Sequence, residues 1–487
     1  MSFYIYDITF LVIFSILVAW FLYKRRDNLK REGIMYLYRT QVGVKFINYI
    51  GTRFKKTLKV FSVLSIISGY ILMAVMMYLL GKLIYVYLFM PEIVRAIKIP
   101  PLMPLIPYLP EVFKIDFLPS FYFTYWIISI AIIAVFHEFA HGIIAKTNGV
   151  RIKTTGFGFL GPFLAAFVEP DEEQMESKTK FQQIAVLSAG TFTNLILAFL
   201  FFLLLAAFFA VAFVPAGALF NAYASQPVAI NSITDIGGTP ITNPTAGNIL
   251  DLINVNNLED TLTLGSNGNS LQFSKITANN ETYYMALEPL KNQLEVNQEY
   301  VLLYMDTAAI KTGLRGSIIK LDNSKITDRD SLSNALYKYQ PGNTIKITTR
   351  VKKEILEYDI TLIEHPNEPG KPMIGIGYNQ PRTGFVSKIA DFFNFFREPA
   401  TDYQPRSNIE FMIFIYDLIW WIALINLSVA LVNMWPVAIF DGGRMFMLTV
   451  WAITGSEKFA EASFKLITYL ILGALLLLMF GWVLAIF

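Results

Sequence analysis

His137-Glu138-Phe139-Ala140-His141 follows directly on an uncharged apolar run that starts near Phe117. The pentapeptide spells H-E-x-x-H. Residues 137 and 141 are four apart, so on a helix both imidazoles project from one face and can hold one Zn²⁺, with Glu138 placed to take a proton from the attacking water. A run of about 20 apolar residues is what a bilayer crossing needs. The motif is therefore expected at the end of a membrane-spanning helix, where ionisable groups are costly and mark function. The chain has three histidines, and two of them are here. The plain alternative, a pair of hydrogen-bonded helix histidines, is weak in that setting.

Outward from this run, five more long apolar stretches follow the same rule: Asp7 to Lys24, Lys59 to Met90 with Lys82 inside it, Ile184 to Val214, Leu418 to Phe440, and Leu466 to Phe487. The first is followed by Lys24-Arg25-Arg26 and not by a small-residue cleavage site, which reads as an anchor rather than a removable signal peptide. Hydrophobic residues make up 54% of the 487, and charged residues only 16%, against the roughly 25% usual in soluble domains. The fold class is a polytopic α-helical membrane protein with about six transmembrane helices. A net charge of +3 is too small to make nucleic acid the principal ligand. The absence of cysteine excludes a disulfide scaffold, a thiolate metal site and a Cys nucleophile.

Basic residues collect on the cytoplasmic side of short loops. Lys24 to Lys59 carries 11 Lys/Arg and two acids. This loop is read as cytoplasmic, so the N-terminus lies outside and His137 and His141 lie toward the cytoplasm. Residues 215 to 400 are then extracytoplasmic. They read as β-rich, with alternation in Thr344-Ile345-Lys346-Ile347-Thr348 and a turn signal at Pro341-Gly342-Asn343. They also contain a repeat: residues 231–242 match residues 316–327 at a spacing of 85. The continuation of the second copy resembles a PDZ domain, and the segment is read as two tandem PDZ-like domains.

A catalytic zinc of this kind takes three protein ligands and an open position. With no cysteine, and with His365 in the soluble insert, the third ligand has to be a carboxylate. The candidates at membrane depth or edge are Asp417, Asp441 and the Glu169 to Glu176 cluster. Asp441 stands out, because it ends the fifth apolar run at the level expected for His137 and His141 and precedes Gly442-Gly443.

These residues resemble the site-2 protease family of intramembrane metalloproteases. His137 to His141 matches its zinc helix. Asn433-Met434-Trp435-Pro436-Val437-Ala438-Ile439-Phe440-Asp441-Gly442 resembles its N-x-x-P-x-x-x-x-D-G motif, with Phe440 where Leu is commoner, and Gly190-Thr191-Phe192-Thr193-Asn194 looks like its G-x-x-x-N. The resemblance covers about residues 120 to 455 and leaves out the first two spans. It implies that His137, His141 and Asp441 bind Zn²⁺, that Glu138 is the general base, and that the substrates are single-span membrane proteins cut within the bilayer. Asn194, Asn433 and Pro436 are then candidates for holding substrate or the oxyanion. The apolar, Gly-rich segment from Val150 to Glu169, with Gly156, Gly158 and Gly161, looks like the family's membrane re-entrant β-hairpin, whose edge is expected to take substrate as an added strand.

The expected organisation is a two-span N-terminal region (1–115), a membrane core (116–214), PDZ-like domains at 215–300 and 301–385, a linker (386–408) and a second core segment (409–487). The PDZ-like pair is expected to filter substrates by size or to capture a C-terminus left by an upstream site-1-type protease. A prokaryotic cell membrane, archaeal or bacterial, is the expected location. Two rivals are another membrane zinc protease, such as the prenyl-protein type, and an inactive PDZ-bearing scaffold.

Overall fold

The computed structural model describes residues 3–33, 35–90, 94, 100–113, 115, 118–160, 163–255, 262–264, 271–297, 299–366, 368–378 and 395–486. Its main helices are α1 (Phe3–Lys24), α2 (Val44–Arg53), α3 (Lys55–Phe89), α4 (Phe123–Thr147), α5 (Lys180–Ala212), α6 (Ile409–Val432), α7 (Asp441–Thr454) and α8 (Glu457–Ile486). All but α2 and α7 are long and apolar enough to cross a bilayer, and the chain is an integral membrane protein. At about 1.5 Å per residue α4 is roughly 37 Å long, more than a hydrocarbon core of about 30 Å requires.

The chain divides into a membrane unit, Met1–Phe208 with Glu410–Phe487, and an inserted unit, Phe209–Ile409. In the membrane unit a four-stranded antiparallel sheet runs in the order β1 (Leu29–Glu32), β2 (Met35–Thr40), β3 (Ile152–Leu160), β4 (Phe163–Pro170). The basic segment between α1 and α3, whose charge pattern reads as a loop, contributes half of this sheet. Tyr36 pairs with Phe159 and Thr40 with Thr155, and Arg39 bridges Glu32 (2.8 Å) and Glu169 (3.1 Å). The next helix, α2, is amphipathic and buries Val44, Ile47 and Gly51. It lies against α4, where Thr147 Oγ1 donates to the Gly51 carbonyl at 3.2 Å.

The opposite end of α4 is fixed from α1. Asp7 is 1% exposed. Its Oδ1 accepts from the Thr124 amide (2.9 Å) and hydroxyl (2.5 Å), and its Oδ2 accepts from the Phe123 amide (2.8 Å) and the Tyr108 hydroxyl (2.5 Å). The first N–H groups of a helix have no partner within it. Asp7 supplies that partner from a different helix, in the role usually taken by an N-cap side chain.

The fifth apolar run does not continue as helix to Phe440. It stops at Val432, because Pro436 has no N–H and its ring would strike the carbonyl four residues back. Residues 433–440 fold back on themselves, with the Val437 amide on the Trp435 carbonyl (2.8 Å) and the Gly442 amide on the Asn433 carbonyl (2.7 Å). Asp441 therefore begins a new helix, α7. A Cβ on Gly442 would lie 2.4 Å from the Met434 carbonyl carbon, and one on Gly443 would lie 2.2 Å from the Val437 carbonyl oxygen. The paired glycines are what let the doubled-back segment close.

The inserted unit has two main sheets. One orders the strands Ser225–Ala229, Tyr300–Met305, Glu281–Met285, Leu271–Ala278, Ile233–Ile236 and Thr239–Pro240. The other orders Glu354–Thr361, Thr344–Val351, Ser317–Leu321, Phe213–Ala218 and Thr401–Pro405. The sequence repeat falls on equivalent hairpins, Ile233–Ile236 with Thr239–Pro240 and Ser317–Leu321 with Ser324–Lys325. Each is followed by a helix, Ala246–Val255 or Arg329–Leu336. Strands are exchanged across the expected boundary: Phe213–Ala218 pairs in the second sheet and Tyr300–Met305 in the first.

Candidate metal centre

Helix α4 presents His137 and His141 one turn apart, with their Nε2 atoms 2.9 Å from each other. Asp441, the first residue of α7, brings Oδ2 to 3.4 Å from both nitrogens. Among the described residues, the His and carboxylate cluster able to hold a metal is His137, Glu138 and His141, whose ligand atoms lie within 4.8 Å of one another. For zinc bonds of about 2.0–2.2 Å, tetrahedral ligands stand roughly 3.3–3.6 Å apart. The two 3.4 Å separations match that spacing, the 2.9 Å between the two nitrogens is shorter than it, and two nitrogens with one carboxylate are a donor set that suits Zn²⁺.

Helix α5 supports both histidines from one face, on which Val186, Gly190 and Asn194 follow at intervals of four residues. His141 Nδ1 is 2.7 Å from the Val186 carbonyl, to which it donates, and His137 Nδ1 is 3.0 Å from the Asn194 amide group. If Nε2 of His137 is to bind metal, its Nδ1 carries the proton, and Asn194 must present its carbonyl oxygen there. That orientation also gives Oδ1, otherwise buried without a partner, its hydrogen bond. Between the two contacts, a Cβ on Gly190 would lie 2.5 Å from His141 Nε2 and 2.7 Å from His137 Nε2. Glycine here keeps clear the space beside the nitrogens that an ion would use, so the residues present fit a zinc ion. The G-x-x-x-N pattern has a direct reading: glycine for room, asparagine for orientation.

Glu138 is not tied to the histidines. Its Oε2 accepts from the Val168 amide on β4 at 3.2 Å, which joins the hairpin to the centre. The other sequence candidates distribute differently. Glu169 is engaged by Thr154 (2.6 Å) and Arg39 (3.1 Å), Glu172, Glu173 and Glu176 lie on the short helix Glu172–Glu176, and Asp417 lies within α6. Of the carboxylates considered for the third ligand, Asp441 is the one brought against both imidazoles. Asn433 contributes its main-chain carbonyl to the turn that positions Asp441, and Pro436 is buried in that turn. Gly156 and Gly158 are paired on both sides within the sheet, with Arg39 and Phe167 and with Leu37 and Ala165. Gly161 lies outside the described residues.

Two contributions have no distinct signature in the sequence, and a third has a weak one. The Val186 carbonyl and the Val168 amide are main-chain groups that any residue carries. The β1–β2 hairpin could have been suspected from the Met35-Tyr36-Leu37-Tyr38 pattern, which its flanking charges masked.

Residues 125–479 match peptidase family M50. A stretch of 72 residues is 42% identical to an uncharacterized protein of Methanocaldococcus jannaschii, covering 15% of this chain. The match spans a fifth of that relative's own length. The family match takes in α4, α5 and the segment that delivers Asp441, and so the chain belongs to peptidase family M50, the site-2 protease family of metalloproteases.

Proposed function

We propose that the protein is an intramembrane zinc endopeptidase that hydrolyses peptide bonds within the transmembrane segments of single-span membrane proteins. The observation that carries this reading is the convergence of His137, His141 and Asp441 beside Glu138 in the second half of a helix long enough to span the bilayer. His137, His141 and Asp441 would hold Zn²⁺, which when bound acts as a Lewis acid toward a carbonyl and makes water a nucleophile near neutral pH. Glu138 accepts the proton of the attacking water and returns it to the departing amine, a shuttle suited to a carboxylate within reach of both atoms. Val186 and Asn194 hold the imidazoles with Nε2 turned inward.

A transmembrane helix shields its own peptide bonds, so the substrate has to be unwound and its backbone satisfied some other way. The outer edge of β3 is already taken by β2, which leaves the edge of β4. Val168 turns its N–H outward to Glu138, and in an antiparallel strand the N–H and C=O of every second residue, here Ala166 and Leu164, turn the same way. Strand addition along this edge would deliver a substrate peptide bond to Glu138.

The remaining proposals follow the sequence reading. The basic Lys24 to Lys59 segment is cytoplasmic and the N-terminus outside, the β3–β4 hairpin is membrane re-entrant, and the inserted unit is an extracytoplasmic pair of PDZ-like domains acting after an upstream protease. The membrane is archaeal or bacterial. Tests with purified protein are zinc content and cleavage of a single-span reporter, with Glu138→Gln as the control. Stoichiometric zinc with Glu138-dependent cleavage inside the span is the expected result. Zinc without cleavage favours a scaffold, and cleavage confined to prenylated C-termini favours the prenyl-protein class.

A further inference from the structure

A cavity of about 80 Å³ lies between α4 and the hairpin, and every residue that lines it is apolar. Ile127, Ala131 and Ala134 form the helix wall, and Leu164, Ala166 and Phe157 the sheet wall. At about 100° per residue, Ile127, Ala131 and Ala134 fall within about 40° of Glu138 around α4. The cavity therefore continues the face of α4 that carries the proposed base. Across from it, Ala166 and Leu164 are the residues whose main-chain groups turn to the edge of β4 away from β3, and Val168, two residues further on, reaches Glu138.

We infer that this cavity is a specificity subsite for an aliphatic side chain of the substrate. The inference rests on the proposed strand addition at β4. The occupant follows from three features. The walls offer no polar partner, the alanines on both sides leave space that larger residues would fill, and the cavity adjoins the edge where an extended peptide would lie. Along α4, Ala134 and Ala131 are about 6 and 10 Å before Glu138. An extended chain advances about 3.3 Å per residue, so the recognised side chain is two or three residues from the bond that is cut. A cavity of this size takes a branched aliphatic side chain better than an indole.

The test uses the full-length protein in detergent–lipid micelles and a single-span reporter carrying Gly, Ala, Leu or Trp at each of those two positions. Wild type is expected to cleave the Leu reporter at one of them about tenfold or more faster than the Gly reporter, since a methylene or two in an apolar pocket is worth that much. Ala134→Leu should reverse the order, with the Gly reporter still cut, and Ala134→Gly should raise cleavage of the Trp reporter. If both variants change all four reporters by the same factor, or change none, the cavity is not a subsite and the inference fails. If wild type shows no Glu138-dependent cleavage of any reporter, the proposed protease reading fails and takes the subsite with it.

Discussion

Replacing Asp7 with alanine tests whether the first span contributes to the stability of the membrane unit. In the folded protein four donors converge on this carboxylate, two of them amides of the first turn of α4. The hydroxyls of Thr124 and Tyr108 can rotate toward other acceptors, whereas the Phe123 and Thr124 amides are fixed by the helix. Leaving a buried donor without a partner costs about 1–3 kcal/mol, so two such amides give about 2–6 kcal/mol. Removing a buried carboxylate recovers part of its desolvation cost, and the net expectation is a loss of about 2–4 kcal/mol. Asp7→Asn keeps one acceptor oxygen but turns an NH₂ toward donors, so it should lose less than alanine and more than Tyr108→Phe, which removes one contact at about 1 kcal/mol. Reversible unfolding in mixed detergent micelles measures these differences. A double-mutant cycle between Asp7→Ala and Thr124→Val should give a coupling of about 0.5 kcal/mol or more. Thr124 lies about 20 Å along α4 from His137, so the zinc content of the folded fraction should stay stoichiometric. Alanine at position 7 with wild-type stability, or strict additivity with Thr124→Val, would refute the capping argument.

Other expectations bear on the centre and on the insert. Gly190→Ala puts a methyl group into the space beside the two Nε2 atoms and should abolish zinc retention through dialysis; retention at the wild-type level contradicts the proposed ion position. Asn194→Ala should weaken zinc binding by about 10–100-fold, as loss of a partner to a ligating histidine does, measured by competition with a chelator. Ala166→Pro removes an outward N–H from β4 and should suppress cleavage with zinc content intact, so unchanged turnover would count against strand addition there. In the insert, hydrogen bonds from Thr327 and the Ser331 amide hold Asp328 below its ordinary carboxylate range, and a hydrogen bond from Tyr339 does the same for Asp322. Their folded pKa values are depressed, so their contribution is present above the unfolded value of about 3.9 and is lost as pH falls through the folded value. Thermal unfolding of the insert in the full chain should become less stable on acidification below about pH 4, and less steeply so in Asp328→Ala. A steeper acid dependence in that variant would be the wrong sign.

The residues legible in the sequence were those whose chemistry is confined to few side-chain types. Two of three histidines in one pentapeptide, and a carboxylate before a double glycine, identify themselves in a chain with so little charge. The geometry that joins them was less visible. That Asp441 begins a helix follows from Pro436 four residues after Val432, which stops the helix although the apolar run continues to Phe440. Gly190 could be read only as part of a pattern, since the demand for space comes from His137 and His141 some fifty residues earlier. Asp7 reads as the edge of an apolar stretch, because an acid near the end of a span ordinarily meets water; its burial depends on Tyr108 and on the start of α4, which no local pattern announces.

Residues before 125 lie outside the family match, yet the N-terminal segments touch the helix that carries His137 and His141, and its hairpin, at three levels: Asp7 at the start of α4, α2 near its end, and β2 along β3. The last of these bears on substrate entry. Admitting a substrate strand to β3 would first require displacing β2 over the five pairs from Tyr36–Phe159 to Thr40–Thr155. At about 0.5–1.5 kcal/mol net for each hydrogen bond, with roughly one bond per pair, that displacement would cost about 2.5–7.5 kcal/mol before any new contact forms. The new strand would then do no more than restore those bonds. On β4 no strand would have to be displaced, and the outward groups of Leu164 and Ala166 would take the new bonds beside the Val168 amide that already meets Glu138. The N-terminal region therefore does more than brace α4: by occupying one edge of the hairpin it leaves the edge next to the proposed base as the lower-cost route for an unwound peptide.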